Sequence, residues 1–488
     1  MALSRENILE QNPWWTSPES WEATDPHLVE LAGQPRRLPA DLVERLDVSQ
    51  RGIHTIRGPR QVGKTTDLKL IVRNAVAAGR PGRSVIYLSL DLLAGQPIAE
   101  LESTVREAKR LADFDGPSVL LLDEITVVRD WQRAIKDLYE RGALRGDAVV
   151  CTGSSAIDLR AGTEERLPGR RGSGEDHLVL PHDFANVARA LNGTLPPSPR
   201  LTLAELVSDD GRAVLHDAEL HLPALQASLA TYLRFGGLPA AVAEAIGGAA
   251  EPSRSTKRVL YDALITEVRR RGASEPAFQG LLEQMVRSLS SKTNWSKIAR
   301  EMGIPAGSRR GRPSPSPIHY NTVRDYVEFL AGNYWTLVVY FWKHDADANS
   351  LARDKKLYFP DPLLYVIARD QAPGLPADEP AQVENAVATA LYRTYEDPAD
   401  QVTTWSAPRS IHAWESGREI DFACGPRSAI EAVEVKYRRN PDLRTAAGVS
   451  RAFPGRPVVL ATRDLLAFRE RYAAIPASML LWALRSGA

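Results

Sequence analysis

The distribution of apolar and polar residues divides the chain into segments with different expected folds. Between about residues 51 and 190, continuous apolar runs such as 118–122 and 148–151 are typical of strands buried on both faces of a parallel sheet. The segments 67–78 and 131–140 read as helices between such strands. This alternation predicts an α/β fold with a doubly wound parallel sheet.

The remainder of the chain follows other patterns. From about residue 201 to 290 the pattern is mainly helical. Helices over 294–304 and 319–331, followed by a strand over 336–342, predict a winged helix with the second helix as the recognition helix. Beyond residue 372, one helix and three apolar strands predict a second α/β domain. They span 382–391, 418–423, 429–437 and 457–462.

Changes in composition mark the expected domain boundaries. Residues before about 50 include Trp14, Trp15 and Trp21 and are expected to pack on the first α/β domain as a lead-in. Proline-rich segments at 195–200 and 372–380 are typical of linkers or surface loops. The predicted organisation is a lead-in (1–50), a P-loop domain (51–200), a helical region (201–285), a winged-helix-like domain (286–372) and a C-terminal α/β domain (373–488).

Charge and cysteine content narrow the class of protein. With 61 basic and 61 acidic residues among 488, the chain has no overall nucleic-acid signature, so such binding would need local patches. Its two cysteines exclude a disulfide framework and a cysteine-based zinc site. The sequence has no recognisable signal peptide and no apolar run of membrane-spanning length, so a cytoplasmic protein without a membrane partner is expected.

The segment from Gly58 to Thr66 fills every fixed position of the P-loop pattern G-x-x-x-x-G-K-[ST]. Its glycines let successive backbone N–H groups point inward as an anion nest for phosphates. Lys64 adds a mobile charge, and the Thr65 hydroxyl is placed to hold Mg²⁺, so ATP and Mg²⁺ are the predicted ligands. The predicted nucleotide-binding residues of the loop are Gly58, Pro59, Arg60, Gln61, Val62, Gly63, Lys64, Thr65 and Thr66.

Two acidic residues follow the apolar run 118–122. Asp123 and Glu124 fall at the carboxyl end of a predicted core strand, where open α/β sheets bind their ligands. Asp123 would hold Mg²⁺, and Glu124 would polarise the attacking water, so hydrolysis is expected as well as binding. The alternative is an acid pair that caps the helix over 131–140.

Two weaker signals lie downstream. The strand from Ala148 ends in polar residues, of which Ser154 would sense the γ-phosphate. Arg170, beside Arg171, would act as an arginine finger or sensor, either in its own chain or on a neighbouring copy in a homo-oligomer. The alternative is ordinary solvated surface.

A basic loop separates the two helices of the predicted winged helix. Arg309, Arg310 and Arg312 surround Gly311, and an extended Arg-Gly-Arg-Pro segment can lie in a narrow A·T minor groove. DNA is therefore a predicted partner. The alternative is a flexible basic loop on a winged helix that contacts protein.

Acidic residues recur in the C-terminal strands. Glu434 and Lys436 share one strand face because side chains alternate along a strand, and Asp421 would come from the neighbouring strand of a hairpin. With Glu384 from the helix over 382–391, the set could bind a divalent ion and orient water at a phosphodiester. Asp421, Glu434 and Lys436 are the predicted catalytic residues, and Glu384, Asp421 and Glu434 the predicted metal ligands. The alternative is a cross-strand salt bridge.

These motifs together resemble a known family. The loop 58–66, Leu122-Asp-Glu-Ile125, Thr152-Gly-Ser-Ser155, the turn Phe235-Gly-Gly-Leu-Pro239 and the Asp421 with Glu434-Val-Lys436 pattern are similar to prokaryotic AAA-type ATP-binding proteins. Those proteins pair a P-loop ATPase with a C-terminal domain of unknown function that ends in a PD-(D/E)XK nuclease-like fold. The basic insert at 304–317 and the tryptophan-rich lead-in depart from that pattern.

The resemblance implies an ATPase with a restriction-endonuclease-like domain. It favours a DNA-acting, ATP-hydrolysing protein whose ATPase controls a winged helix and a Mg²⁺-dependent nuclease, as in defence or DNA processing. The alternative is an ATP-dependent switch that binds DNA or a partner without cutting. A third hypothesis is an oligomeric loader for transposition or replication.

Overall fold

The computed structural model describes residues 2–153, 172–270, 272–302, 318–342, 354–372, 374–397, 405–415, 419–469 and 472–486. Within these ranges the chain forms two compact units, Met1–Leu180 and Pro181–Ala488.

A parallel five-stranded sheet forms the centre of the N-terminal unit. Its strands are β1 (Gly52–Arg57), β2 (Val85–Ser89), β3 (Val119–Asp123), β4 (Ala148–Gly153) and β5 (Asp176–Leu178). They lie in the order β2-β3-β4-β1-β5, and every paired strand runs parallel to its neighbour. Strands β1, β3 and β4 are buried throughout, which confirms the parallel α/β sheet predicted from the apolar runs.

Six helices accompany this sheet in the described part of the unit. They are α1 (Arg5–Gln11), α2 (Pro26–Gly33), α3 (Asp41–Arg45), α4 (Lys64–Ala77), α5 (Ile98–Ala112) and α6 (Trp131–Glu140). Helix α6 has the predicted bounds, whereas α4 begins at Lys64 and not at Asp67. The earlier start follows from Gly63, whose φ of 101° lets the chain turn directly from the loop into the helix.

The tryptophan-rich lead-in packs on the edge of the sheet, as the sequence predicted. Trp14 and Trp15 each donate an indole N–H to the carbonyl oxygen of Val85, at 2.9 Å. Trp21 is 1% exposed, and its ring centroid lies 5.0 Å from that of Trp14. The lead-in therefore belongs to the core of the N-terminal unit.

The C-terminal unit begins with a series of helices. These are α7 (Phe184–Leu191), α8 (Leu203–Val207), α9 (Asp209–Asp217), α10 (Leu222–Phe235), α11 (Pro239–Ile246), α12 (Arg254–Arg270), α13 (Glu275–Arg287), α14 (Trp295–Met302) and α15 (Tyr320–Gly332). A two-stranded antiparallel hairpin follows, formed by β6 (Leu337–Tyr340) and β7 (Lys355–Tyr358). Helices α14 and α15 and strand β6 follow the order of the predicted winged helix.

A mixed six-stranded sheet forms the rest of this unit. Its strands are β8 (Ile411–Glu415), β9 (Glu419–Cys424), β10 (Glu431–Lys436), β11 (Val458–Thr462), β12 (Ala467–Arg469) and β13 (Tyr472–Pro476). They lie in the order β12-β13-β11-β10-β9-β8, with β9 antiparallel to both β8 and β10, and β10 parallel to β11. The accompanying helices are α16 (Pro362–Asp370), α17 (Glu379–Tyr395), α18 (Arg444–Ala452) and α19 (Ala477–Ala483).

The Gly-Gly turn of the family pattern has a packing role here. A Cβ on Gly236, whose φ is 67°, would lie 1.9 Å from Oδ1 of Asp361, and one on Gly237 would lie 1.9 Å from the carbonyl oxygen of His182. The backbone N–H of Gly237 donates to Oδ2 of Asp361 at 2.7 Å. Only glycine allows this close approach, so the turn fastens α10 to the start of α16.

The remaining predictions on class concern membranes and disulfides. Among the described residues, none of the helices has the length and apolarity needed to cross a membrane. Cys151 and Cys424 are both buried and free of disulfides, as the sequence predicted.

Candidate functional site

The P-loop connects β1 to α4 through a backbone that two glycines make possible. A Cβ on Gly58 would lie 2.1 Å from the carbonyl oxygen of Val179, so the loop passes too close to that strand for a side chain. Gln61 and Gly63 have φ values of 63° and 101° and turn the chain toward the helix. The loop has the curled form that a phosphate-binding nest requires.

Lys64 is the first residue of α4 and is 5% exposed. Its ammonium donates to the carbonyl oxygens of Gly58 and Pro59, at 3.0 and 2.9 Å. Burial lowers the pKa of Lys64, while the nearby carboxylates of Glu124 and Asp123 raise it in part. The carbonyl groups of the loop thus hold the Lys64 ammonium beside the loop. Phosphate oxygens could replace these two carbonyl groups as acceptors.

Asp123 ends β3 and receives three hydroxyl hydrogen bonds. Thr65 and Tyr87 donate to its Oδ2 at 2.7 and 2.9 Å, and Thr152 donates to its Oδ1 at 2.5 Å. The pairing of Thr65 with Asp123 brings together the two oxygen ligands that the sequence predicted for Mg²⁺. An all-oxygen donor pair beside the P-loop fits this ion, which prefers few protein ligands plus phosphate oxygens and water.

Glu124 occupies a left-handed backbone conformation directly after the strand, with a φ of 53°. Its backbone N–H donates to Oγ1 of Thr152 at 3.0 Å. Thr152 therefore accepts from Glu124 and donates to Asp123, which fixes the ends of β3 and β4 together. Ser154, Arg170 and Arg171 lie outside the described residues, so their predicted roles remain predictions.

Three residues around Asp123 were not predicted from the sequence. Lys69 lies on α4 with its ammonium 3.8 Å from the Tyr87 ring centroid and 3.4 Å from Oδ2 of Asp25. Burial lowers the pKa of Lys69 and raises that of Tyr87, whose hydroxyl faces the Asp123 carboxylate. No sequence pattern links Tyr87 or Asp25 to Asp123, because these residues are distant in sequence and come together only in the folded structure.

The predicted acidic residues of the C-terminal unit do come together. Asp421 lies on β9, Glu434 and Lys436 on β10, and Glu384 on α17. The backbone N–H of Asp421 donates to Oε2 of Glu434 at 3.2 Å, and Oδ2 of Asp421 accepts from the N–H of Val435 at 2.9 Å. The Lys436 ammonium lies 2.8 Å from Oε1 of Glu434, as expected for two residues on one strand face.

A second lysine, which the sequence analysis did not identify, joins these carboxylates. The Lys356 ammonium on β7 lies 3.1 Å from Glu384, 3.0 Å from Glu419 and 2.8 Å from Asp421, measured to one carboxylate oxygen of each. Tyr358, also on β7, donates its hydroxyl to Oε1 of Glu384 at 2.7 Å. We call the group formed by Lys356, Tyr358, Glu384, Glu419, Asp421, Glu434 and Lys436 the carboxylate cluster.

Burial and charge both act on the ionisation of this cluster. Burial alone lowers the pKa of Lys356, but Asp421, Glu384 and Glu419 together raise it far above its ordinary value. Burial, and next the charge of Asp421, raise the pKa of Glu384 to about 7 although Lys356 opposes the change. The same two causes raise the pKa of Glu434. The ammonium thus stays charged, and it is the cation that these carboxylates hold.

Of the metal ligands predicted in the C-terminal unit, Glu384 and Asp421 contact an ammonium in this arrangement, and their metal-binding role stays a prediction. Within the described ranges, no group of three histidine, cysteine or acidic side chains is placed to hold a metal ion. The reason is visible at Lys356, since two of the three predicted ligands, Glu384 and Asp421, point their oxygens at its ammonium. The donor chemistry suits a hard divalent ion, but the position is filled by a side chain.

The predicted recognition helix α15 has an acidic exposed face. Arg324 lies 3.3 Å from Asp325 and 3.7 Å from Glu328 on the same helix, so its charge is already paired. Since acidic side chains repel phosphates, this face is poorly suited to the DNA backbone. The basic residues Arg309–Arg312 lie outside the described residues, and the winged-helix and DNA assignments remain predictions.

Two family models match parts of the chain. An AAA domain model matches residues 50–187, and a model described as a domain of unknown function (DUF8612) matches residues 226–373. The first covers the P-loop, Asp123 and Glu124. The second covers α14, α15 and the β6–β7 hairpin and ends before α17, so the region of Asp421 and Glu434 lies beyond it.

Individual relatives are distant. The uncharacterized protein MJ1637 of Methanocaldococcus jannaschii is 34% identical over 105 residues, and the match spans 21% of this chain and 21% of the relative. The ORC2 protein of Aeropyrum pernix, solved with ADPNP and ADP, is 11% identical with a TM-score of 0.33, over 66% of this chain and 88% of ORC2.

The ORC1 protein of Aeropyrum pernix, solved in complex with DNA, is 14% identical with a TM-score of 0.29, over 74% of this chain and 97% of ORC1. Both scores are too low to indicate a shared overall fold. The domain match and the geometry around Lys64 and Asp123 agree in indicating a P-loop domain of the AAA type over residues 50–187.

Proposed function

We propose that this protein is a Mg²⁺-dependent nucleoside-triphosphate hydrolase whose C-terminal unit responds to the nucleotide and acts on nucleic acid. The observation that supports nucleoside-triphosphate hydrolysis is the pairing of Thr65 with Asp123 at 2.7 Å beside the Lys64 ammonium. This arrangement places a cation for phosphates next to two oxygen ligands for a divalent ion.

Each residue of the proposed site has a separate expected role. Lys64 and the loop N–H groups would bind the β- and γ-phosphates, and Thr65 and Asp123 would hold Mg²⁺, which neutralises phosphate charge when bound. Glu124 would orient the attacking water and accept its proton. Thr152 supports this role because it accepts the N–H of Glu124 while donating to Asp123.

The test separates binding from hydrolysis. Wild type should bind ATP and release phosphate in the presence of Mg²⁺, Lys64→Ala should lose binding, and Glu124→Gln should bind ATP without hydrolysing it. Hydrolysis by Lys64→Ala at a rate close to that of wild type would refute the proposed site. An arginine supplied by a neighbouring copy, with Arg170 as the candidate, would make the rate per chain rise with protein concentration.

For the C-terminal unit, a switch that binds without cutting is favoured by Lys356. Its ammonium satisfies the carboxylates that a nuclease would need for its metal. In this function, the nucleotide state of the N-terminal unit would change the affinity of the C-terminal unit for DNA. Electrophoretic mobility shifts of duplex DNA with ATP, ADP and no nucleotide test this; equal affinity in all three states would contradict it.

A Mg²⁺-dependent nuclease is the second candidate function, and the convergence of Asp421, Glu434 and Lys436 supports it. Its test is cleavage of plasmid and linear duplex DNA by wild type, Lys436→Ala and Lys64→Ala, with Mg²⁺ or Mn²⁺ and with or without ATP. Cleavage that disappears in Lys436→Ala would establish the nuclease. The absence of cleavage in wild type under every condition would leave the non-cutting switch.

A further inference from the structure

The carboxylate cluster is spaced for an ammonium and not for a metal ion. The three oxygens around Lys356 lie 2.8–3.1 Å from its nitrogen. N–H···O hydrogen bonds have donor–acceptor distances of about 2.7–3.2 Å, whereas Mg²⁺ holds its oxygens at about 2.1 Å and Ca²⁺ at about 2.4 Å. In the present arrangement, a divalent ion at this point would meet the positive charge of the ammonium directly.

The side chain of Lys356 is also more buried and more constrained by its contacts than that of a surface lysine. Its side chain is 1% exposed. The strand that carries it sends a second group, the Tyr358 hydroxyl, to Glu384 from the same strand face. Two residues of β7 therefore hold one carboxylate of the cluster, and the ammonium extends the contact to β9 through Asp421 and Glu419.

The preceding residue, Lys355, faces the other side of β7. Its ammonium lies 3.6 Å from the Trp295 ring centroid on α14, and its backbone pairs in both directions with Thr293 at 2.9 Å. Lys355 is fully buried like Lys356 and adjacent to it in sequence, yet it takes no part in the carboxylate cluster. The two lysines therefore form a matched pair for experiment.

We infer that Lys356 is a built-in cation that takes the place of a metal ion in the carboxylate cluster and excludes divalent ions from it. The inference rests on the proposed function in one respect, namely that the carboxylates of this cluster could bind a metal ion. It does not depend on ATP hydrolysis. Four carboxyl groups share the cluster with two ammonium groups, so removal of Lys356 leaves an excess of negative charge that a divalent ion can neutralise.

The experiment measures Mn²⁺ binding by electron paramagnetic resonance on the full chain without nucleotide. Wild type and Lys355→Met should bind Mn²⁺ only weakly. Lys356→Met should gain one site that binds at least about tenfold more tightly, because a competing positive charge is gone. Adding Asp421→Asn to Lys356→Met should remove that gain.

Two outcomes would overturn the inference. The first is that wild type binds Mn²⁺ at the Asp421 site as tightly as Lys356→Met does. This result would instead favour the nuclease. The other is a folded Lys356→Met that gains no site. If Lys356→Met does not fold, the double variant Lys356→Met with Glu419→Gln takes its place, because the second substitution removes one negative charge and restores the net charge of the cluster. The same two outcomes in this variant would overturn the inference.

If wild type does not hydrolyse ATP, the proposed nucleotide site is refuted, but the Mn²⁺-binding result is not affected. The Mn²⁺ measurement is made without nucleotide, so the two failures are distinguishable.

Discussion

Each unit contains a buried lysine near acidic residues, but the two lysines are paired in opposite ways. In the P-loop, Lys64 donates to the carbonyl oxygens of Gly58 and Pro59, while the Asp123 carboxylate is held by hydroxyl groups. In the carboxylate cluster, Lys356 donates directly to Glu384 and Asp421. The first arrangement leaves the cation and the carboxylate available for ligands, whereas in the second the cation is already paired with carboxylates.

The pKa directions express the same difference. Burial lowers the pKa of Lys64, and the carboxylates near it only partly oppose this. Burial acts on Lys356 in the same sense, but three adjacent carboxylates reverse the result and raise its pKa. A bound polyanion would therefore stabilise the charged form of Lys64, whereas Lys356 already has its anions.

The largest expected effect is on stability and concerns Lys356. Replacing it with Met leaves buried carboxylates without their cation, which we expect to lower the free energy of unfolding by about 3–5 kcal/mol. The measurement is urea unfolding, using the transition that ATP does not shift as the signal of the C-terminal unit. Lys355→Met is the control and should cost much less, since its ammonium lies over the Trp295 ring on the other face of the strand. Equal losses in both variants would remove the contrast between the two lysines.

The next effect concerns Lys64. Lys64→Ala should reduce ATP hydrolysis about 10²- to 10³-fold, because the charge that meets the phosphates is lost. The same substitution at Lys356 should leave ATP hydrolysis unchanged in folded protein. Steady-state phosphate release measures both variants, and a loss of similar size in both would contradict the division of roles.

A smaller effect is expected at Tyr87, whose hydroxyl donates to Asp123. Tyr87→Phe keeps the ring beside Lys69 and removes one hydrogen bond to a carboxylate, worth about 1–1.5 kcal/mol. We expect kcat to fall about fivefold to tenfold and the Mg²⁺ concentration needed for half-maximal rate to rise, with KM for ATP nearly unchanged. An unchanged Mg²⁺ dependence would exclude a positioning role for Tyr87.

The smallest effect is a pH dependence from Lys355. Burial lowers the pKa of Lys355 from 10.5 to about 7, opposed by Asp354. The unfolded chain therefore binds more protons than the folded chain between about pH 7 and 10.5, so this residue makes stability rise with pH across that window. The Trp295 ring attracts the charged form and offsets part of the burial, which leaves an expected rise of about 1 kcal/mol. Urea unfolding at pH 7.5 and 9.5 should show this rise in wild type and not in Lys355→Met.

The P-loop and the strand that leads to Asp123 could be predicted from the sequence because their signals are local. The loop 58–66 is contiguous, and the strand that ends in Asp123 is a continuous apolar run. Helix α6 has the predicted bounds. Tyr87 escaped prediction because it lies 36 residues from Asp123 within an apolar strand, where an aromatic residue reads as core.

The carboxylate cluster could be predicted only in part. The period-two pattern placed Glu434 and Lys436 on one face, and the hairpin brought Asp421 beside them. Lys356 lies 65 residues before Asp421 on a different sheet, and no local pattern links the two. The strand pattern predicted Asp421 and Glu434 but not Glu419, and it gave no information on which cation these carboxylates contact.

The most direct test of the contrast is the number of Mn²⁺ ions bound per chain, with and without a non-hydrolysable ATP analogue. We predict one tightly bound ion with the analogue, absent from Lys64→Ala, and none without it. A tightly bound ion that needs no nucleotide and disappears in Asp421→Asn would contradict the account, because it would place a working metal site where Lys356 lies.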